Sequence, residues 1–429
     1  MKTANKIRLS LISLGCPKNL ADLEAVVSQI KNAKLTSEKK AKIILLNTCG
    51  FLKIARDEVF ENLKNLKNKR VIILGCLASH FTKEVLKKYP QIYAVVSSAN
   101  YKNINAIVKK VAQNKRITAI KTEPKIFENP KGKTLLYSRP YAYIKIAEGC
   151  NNRCAYCLIP SLKGAFRSRK PEDIISEAKV LISKGIKEII LVAQDCGCYP
   201  NLPKLLKNLS RIPGDFWIRV LYIYPERITD ELIKTIKNSP KICHYLDIPL
   251  QHGDPKILHS MRRQSNIAET LKKISKIRKI IPDIALRTSI ITGFPGEDKK
   301  AFENLKKFIK KISFDHVGVF EYSREKGTPA YDFPNQISDK EKRRRKKILM
   351  LLQQKISLNK NKSLLGKTTK VLIENYDAKA GFYIARSQKF APEIDGVIFV
   401  KSKVPLQKSS FITTKITKTL PYDLISETF

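Results

Sequence analysis

The sequence predicts a multidomain α/β chain: an N-terminal parallel sheet flanked by helices, then a central partial (β/α)6 barrel, then a small antiparallel β-barrel. Three observations carry this expectation. At 429 residues the chain exceeds what one core ordinarily organises, so two or three domains are expected. Short apolar strand patterns alternate with helical patterns in two separate runs, as they do where a parallel sheet is covered by helices. Beyond Gly366 helical periodicity stops and short alternating strands take over. The corresponding boundaries are 1–115 for the first domain, 116–139 for a linker, 140–364 for the central domain and 365–429 for the tail.

In the first run, IRLSLISL precedes NLADLEAVVSQI, KIILLN precedes KIARDEVFENL, RVIILG precedes a helix near 82–88, and YAVVSS precedes INAIVKKVA. Cys16, Cys49 and Cys76 each follow one of the first three strands, in LGCPKN, NTCGFL and LGCLAS. Their spacings of 33 and 27 residues are about one strand-helix unit each, so the thiols should converge at the carboxyl edge of the sheet, where open α/β folds bind ligands. Each has a glycine beside it, which lets backbone approach closely. Taken alone, buried structural thiols fit these positions equally well; repetition at one topological position favours a three-cysteine site.

The linker, RITAIKTEPKIFENPKGKTLLYSRP, loses periodicity and carries Pro124, Pro130 and Gly132. The second run begins with AYIKIA and continues through KEIILVAQ, FWIRVLY, HYLDIPL, IALRTSIIT and FDHVGVFEYS, with helical stretches between. Six such strands argue a partial barrel whose function lies in the loops at their carboxyl ends. The first of those loops, in YIKIAEGCNNRCAYCLIP, places Cys150, Cys154 and Cys157 within eight residues. Zinc modules normally supply four ligands, and here no fourth follows before Cys196 and Cys198. Four irons held by three thiolates keep one iron open to a cofactor or substrate, and Tyr156 would shield such a cluster from solvent. A zinc loop or plain buried thiols are the competing readings. The run DKEKRRRKK, 339–347, opens a helix ending near Leu358 and reads equally as phosphate contact or a solvated face. The tail strands TKVLIEN, GFYIARS, GVIFV and SFITTKI suggest a small barrel.

Composition bounds the function. Hydrophobic residues make up 43% of the chain, enough to pack throughout, and nine cysteines, an odd number in a chain this long, do not read as a complete disulfide framework, so a reducing, cytoplasmic setting is expected. The opening segment MKTANKIRLSLISLGC mimics a signal, but its apolar run is short and broken by serines, so it reads as a first strand. No run approaches a membrane span. Lys plus Arg number 82 against 38 Asp plus Glu, a net +44, which suits a polyanionic partner and equally suits a general bias toward lysine.

The spacing C-x-x-x-C-x-aromatic-C resembles that of the radical S-adenosylmethionine (SAM) enzymes. With two three-cysteine sets in order and a small barrel after them, the whole chain is similar to the radical-SAM methylthiotransferases, which convert an unactivated C–H bond into C–S–CH3. The words SLGCPKN, NTCGF, YLDIPLQHG, GFPGE, YSREKGTPA and APEIDG resemble the RimO type, which acts on ribosomal small-subunit protein twelve. The resemblance implies a radical-SAM barrel and a TRAM-like tail. It implies that Cys150, Cys154 and Cys157 hold the 4Fe-4S cluster that cleaves SAM, and that Cys16, Cys49 and Cys76 hold an auxiliary 4Fe-4S cluster carrying the sulfur to be transferred. One SAM would donate the methyl group and another would yield the radical that takes hydrogen from the β-carbon of an aspartate. Implied partners are the ribosomal protein, free or on the ribosome, an rRNA contact and a flavodoxin- or ferredoxin-like electron donor, with no membrane. No catalytic side chain beyond the cluster ligands is identified. Expected SAM contacts are Tyr156, Gln194, Gln251 with His252, Arg287, and the turn from Gly293 to Glu297, although that turn also reads as a plain Pro-Gly reverse turn. Cys196 and Cys198 have no role in the resemblance. Two rivals stand beside this reading: methylthiolation of a tRNA adenosine, which the mildly basic tail and APEIDG argue against, and a zinc-dependent RNA-binding protein with six structural cysteines.

Overall fold

The computed structural model describes residues 6–50, 53–81, 83–120, 133–264 and 266–429. Residues 121–132 of the expected linker, and Thr82 at the head of the third expected helix, lie outside these. The chain forms two compact units, one drawn from Met1–Tyr137, Lys145–Arg153 and Cys157–Glu177, the other from Ser138–Ile144, Cys154–Tyr156 and Ala178–Phe429.

In the first unit, β1 (Ile7–Ser13), β2 (Ala33–Leu35), β3 (Ile43–Thr48), β4 (Arg70–Gly75), β5 (Ile92–Val96) and β6 (Ile117–Ala119) form one parallel sheet in the order β2-β1-β3-β4-β5-β6. The helices are α1 (Pro17–Val27), α2 (Lys53–Asn65), α3 (Lys83–Lys88) and α4 (Ile104–Ala112). The central strands are apolar on both faces because both are covered. Ile43, Leu45, Ile72 and Leu74 join a core with Leu23 of α1 and Val108 of α4, while Ile44, Leu46, Val71 and Ile73 pack with Val59 and Leu63 of α2. The sequence shows four strands here and the structure six. The two additions are three-residue edge strands, too short to carry a period of two.

The second unit contains the six expected parallel strands. β7 (Tyr141–Lys145) pairs through its neighbours in the order β11-β10-β7 with β10 (Glu188–Val192) and β11 (Trp217–Val220); between β7 and β10 the chain makes two short strands of the first unit, β8 (Ala147–Glu148) and β9 (Arg167–Ser168). β12 (Tyr245–Asp247), β13 (Ala285–Thr292) and β14 (His316–Glu321) form the other half, and a bridge between Ile218 and Ile242 links the two halves. The helices of the run are α5 (Ile159–Lys163), α6 (Pro171–Ser183), α7 (Leu202–Ser210), α8 (Asp230–Asn238), α9 (Pro255–Ser260), α10 (Ile267–Ile280), α11 (Lys299–Ile312) and α12 (Asp339–Lys362). The helical stretch between β12 and β13 is two helices, α9 and α10. Asp254 and Asn266 each cap a separate N-terminus, satisfying otherwise unpaired backbone N–H groups, and Arg262 between them has a left-handed φ of 53°.

The tail is a closed barrel of β15 (Thr368–Asp377), β16 (Phe382–Arg386), β17 (Ile398–Lys401), β18 (Phe411–Thr419) and β19 (Leu424–Glu427) in the order β15-β16-β17-β19-β18. β19 is the strand that the alternating pattern did not show, and it closes the barrel by pairing parallel with β17. Buried charge ties this barrel to the central strands. Glu188, at the first position of β10, accepts from Arg219 Nε and from Arg386 Nη2, both at 2.6 Å. In APEIDG, Glu393 accepts from the hydroxyls of Tyr141 and Tyr143, and Asp395 accepts from the hydroxyl of Tyr245. Tyr141 and Tyr245 open their strands, so this word covers the amino ends of the central strands and leaves their carboxyl ends to the loops. The basic run at the head of α12 is only partly solvated: Lys342 and Arg345 are buried, and Arg345 pairs with Glu297 at 2.6 Å.

Candidate metal centres

The first centre belongs to the first unit. Cys49 and Cys76 directly follow β3 and β4, and Cys16 is the extended N-cap of α1, whose first helical residue, Pro17, is already set to a helical φ. The three lie side by side at the carboxyl edge of the sheet. Gly15 has φ +100°, and a Cβ there would sit 2.7 Å from Cys49 Cβ and 3.5 Å from its sulfur, so only glycine lets the two loops approach. Cys76 Sγ reaches Asn19 Oδ1 at 3.6 Å, and Asn19 in turn donates to Thr48 O. Among the described residues no three His, Cys, Asp or Glu side chains are gathered closely enough to hold a single metal ion. A four-iron cluster takes its thiolates on different irons and needs them farther apart.

A buried charge cluster stands beside this centre. Lys145 Nζ meets Asp22 Oδ1 at 2.5 Å and Glu148 Oε2 at 3.1 Å, and Lys163 Nζ meets Glu148 Oε1 at 2.6 Å, with all four side chains buried. Burial alone opposes charge on Lys163, but Cys76, Glu148 and Asp22 outweigh it and hold the ammonium charged. Burial pushes the Cys76 thiol up, with Lys163 the principal influence pulling the other way. The two ammonium groups are matched by the two carboxylates, so the cluster places polar groups beside the sulfurs without net charge. Sequence reading did not find Lys145, Glu148 or Lys163; Lys163 stands six residues after Cys157, with nothing in the spacing to mark it.

The second cysteine loop follows β7. Cys150 and Cys157 lie in the first unit. The Cys150 N–H donates to Gly164 O at 3.1 Å, and Gly149, at φ +83°, has no room for a side chain because a Cβ would collide with Ala165 O. Cys157 Sγ accepts the N–H of Ile159 at 3.5 Å. Cys154, Ala155 and Tyr156 lie in the second unit, where Ala155 N donates to Met261 O and Tyr156 packs with Met261, Phe294 and Tyr322. Cys154 Sγ is 3.7 Å from the Tyr224 hydroxyl, and the Arg263 guanidinium lies 3.8 Å from the centroid of the Tyr224 ring.

The expected SAM contacts fall into three groups. Gln194 follows β10, and its Oε1 is buried with no hydrogen-bond partner among the described residues, the condition of a group awaiting a ligand. Gln251 continues β12 with φ +71° and exchanges backbone bonds with Ser289 and Ile291. His252, Gly293 and Glu297 are drawn into one network: Glu297 accepts from Gly293 N at 3.0 Å, Thr292 Oγ1 at 3.1 Å and Arg345 at 2.6 Å, and its other contact is His252 Nε2 at 2.9 Å. The turn is thus more than a reverse turn; it anchors α12. Arg287 is directed to Asp247 at 3.0 Å and Asp395 at 3.3 Å, in the network at the amino ends of the strands. Cys196 Sγ reaches Leu191 O in β10, and Cys198 Sγ reaches Asp195 Oδ2 in its own loop at 3.2 Å.

Residues 144–309 match the Radical SAM superfamily, residues 8–97 match the uncharacterized protein family UPF0004 and residues 365–428 match the TRAM domain. The chain is 43% identical to the ribosomal protein uS12 methylthiotransferase RimO of Acetivibrio thermocellus, covering 98% of each chain. It is 42% identical to the RimO protein of Thermoanaerobacter sp., covering 98% of this chain and 99% of that one. Among solved structures, the radical S-adenosylmethionine methyltransferase TsrM of Kitasatospora setae, which carries cobalamin and a [4Fe-4S] cluster, shares the fold at a TM-score of 0.56 and 13% identity over 76% of this chain and 77% of that one. The chain belongs to the RimO family of radical-SAM ribosomal protein uS12 methylthiotransferases.

Proposed function

We propose that the protein methylthiolates the β-carbon of an aspartate in uS12, with Cys150, Cys154 and Cys157 holding one 4Fe-4S cluster and Cys16, Cys49 and Cys76 holding a second. The observation that carries this is the convergence of Cys16, Cys49 and Cys76 at one sheet edge, in a chain that also bears the separate three-cysteine loop after β7. When bound, these groups would supply SAM cleavage to a 5'-deoxyadenosyl radical and the sulfur and methyl for C–S–CH3 formation, chemistry beyond side-chain acids and bases.

The chain's own part is placement and charge. Three thiolates at each centre leave one iron position for a ligand that is not a side chain. Lys163 and Lys145 stand charged beside Cys76, matched by Glu148 and Asp22, and so fix the polar wall of that centre without adding net charge. Gln194 offers SAM a buried carbonyl oxygen, and Glu297, through Gly293 and His252, keeps the turn after β13 in one conformation. The electron donor is flavodoxin- or ferredoxin-like and the setting the cytoplasm, where thiolates stay reduced; no helix among the described residues is long and apolar enough to cross a membrane. Exposed cations of α12, among them Lys340, Arg343 and Lys347, offer rRNA a phosphate contact when uS12 is met on the ribosome.

The test is mass spectrometry of uS12 and of total tRNA nucleosides from cells with and without the gene. Loss of the methylthio mass from a uS12 aspartate with tRNA nucleosides unchanged is expected. Loss of a methylthioadenosine with uS12 unaltered would move the substrate to tRNA.

A further inference from the structure

Arg263 is a buried cation lacking the partner that its neighbours have. In the same unit Arg219, Arg287, Arg345 and Arg386 are all buried, and each meets a carboxylate, at 2.6 Å from Glu188, 3.0 Å from Asp247, 2.6 Å from Glu297 and 2.6 Å from Glu188 respectively. Arg263 is 6% exposed, and among the described residues no carboxylate lies within ion-pair distance of it. Its Nη2 donates to Pro249 O at 2.6 Å, while Nε and Nη1 are buried with no acceptor among the described residues. Two buried guanidinium donors without an acceptor are the mark of a site whose hydrogen-bonding anion is not one of the side chains.

The anion is indicated by what Arg263 touches. The guanidinium stacks 3.8 Å from the Tyr224 ring centroid, and the Tyr224 hydroxyl stands 3.7 Å from Cys154 Sγ. A thiolate ligand can only accept, so with Cys154 ligated the hydroxyl donates to sulfur. A cation over the ring draws its electron density and makes that hydroxyl a stronger donor.

We propose that Arg263 is the counter-cation of the cluster held by Cys150, Cys154 and Cys157, and that with Tyr224 it makes that cluster easier to reduce. This rests on the cluster assignment made above. Reduction adds one electron to a centre already negative, so a fixed positive charge and a hydrogen bond to a ligand sulfur both favour the reduced form. Arg263 is a positioning residue in this sense: it acts on the cluster through the field and through Tyr224.

The experiment uses the full chain, reconstituted anaerobically with iron and sulfide, and follows the reduced cluster by electron paramagnetic resonance in a dithionite-mediated redox titration without SAM. Arg263→Gln is expected to lower the reduction equilibrium constant at least tenfold, about 59 mV more negative for a one-electron couple. Tyr224→Phe shifts it in the same direction by less, and Arg263→Lys, which keeps the charge, falls between Arg263→Gln and wild type. An unaltered potential in all three variants with a tenfold loss of SAM affinity would overturn the proposal and make Arg263 a contact for the SAM carboxylate. Unaltered potential and affinity would overturn it in favour of packing alone. If Arg263→Gln does not assemble a cluster, Tyr224→Phe and Arg263→Lys decide by the same criterion. Wild-type protein that takes up no iron or acid-labile sulfide would instead refute the cluster assignment.

Discussion

Glu188 joins the central strands to the tail barrel, and replacing it with glutamine tests how much that junction contributes. The wild-type carboxylate is fully buried and accepts from two arginines that are themselves fully buried. Arg386 keeps a second carboxylate, Glu374, at 2.6 Å, but Arg219 retains only Gln388 O at 2.8 Å and its stacking 4.5 Å from the Tyr245 ring centroid. An amide turns one acceptor oxygen into a donor facing an arginine, so Glu188→Gln leaves one guanidinium buried and unpaired. Breaking a buried pair in this way costs about 3–5 kcal/mol. For a unit of this size each kcal/mol moves the midpoint by about 2 °C, so thermal unfolding should fall by roughly 6–10 °C. Because a chain of two units need not unfold in one step, hydrogen exchange read separately in β10, β11 and β16 should show the loss concentrated there. Burial pushes the Glu188 carboxyl up, but Arg219 and Arg386 outweigh it and hold it below its ordinary value of 4.5. The folded state therefore binds the proton less readily than the unfolded one. The stabilisation is complete above pH 4.5 and is lost as pH falls through the depressed folded value. The gap between wild type and variant should accordingly be constant from neutral pH down to about pH 5 and narrow below it. A variant that melts within about 2 °C of wild type at pH 7, or a gap that narrows as pH rises, would refute the assignment of this stability to the ionised carboxylate.

Two further perturbations address the sites. Gly15→Val places a Cβ where Cys49 Cβ stands at 2.7 Å and strains a backbone at φ +100°; iron content should fall by about half, with the SAM-responsive cluster signal retained, whereas full iron content would show that the two loops can separate at no cost. Glu297→Gln weakens three of the contacts that hold the turn after β13, so urea unfolding of the full chain should shift by about 3 kcal/mol and SAM should bind more weakly. Unchanged urea unfolding would mean that α12 is held by its apolar face, through Leu349, and not by Arg345.

The sequence by itself determined everything that depends on near neighbours. Apolar alternation over five to eight residues marks a strand wherever it occurs, so the central strands of both parallel halves were legible, as was the loop that holds Cys150, Cys154 and Cys157. The regular spacing of Cys16, Cys49 and Cys76 was legible too, because one strand-helix unit returns the chain to the same edge of the sheet. Tertiary structure alone decided the rest. β2 and β6 exist because a sheet edge accepts three residues of any pattern, and β19 exists because a barrel closes. Glu188 and Arg386 meet across 198 positions, and Tyr143 and Glu393 across 250, so no local window contains either pair. Arg287 reads from its strand as a ligand contact, yet Asp247 and Asp395 claim it, while Arg263, in a loop between two helices, carried no signal and lies against Tyr224. Periodicity is a property of neighbouring residues and survives in the sequence. Compensation of buried charge is a property of the whole interior, because it depends on which groups the folded chain has removed from water together.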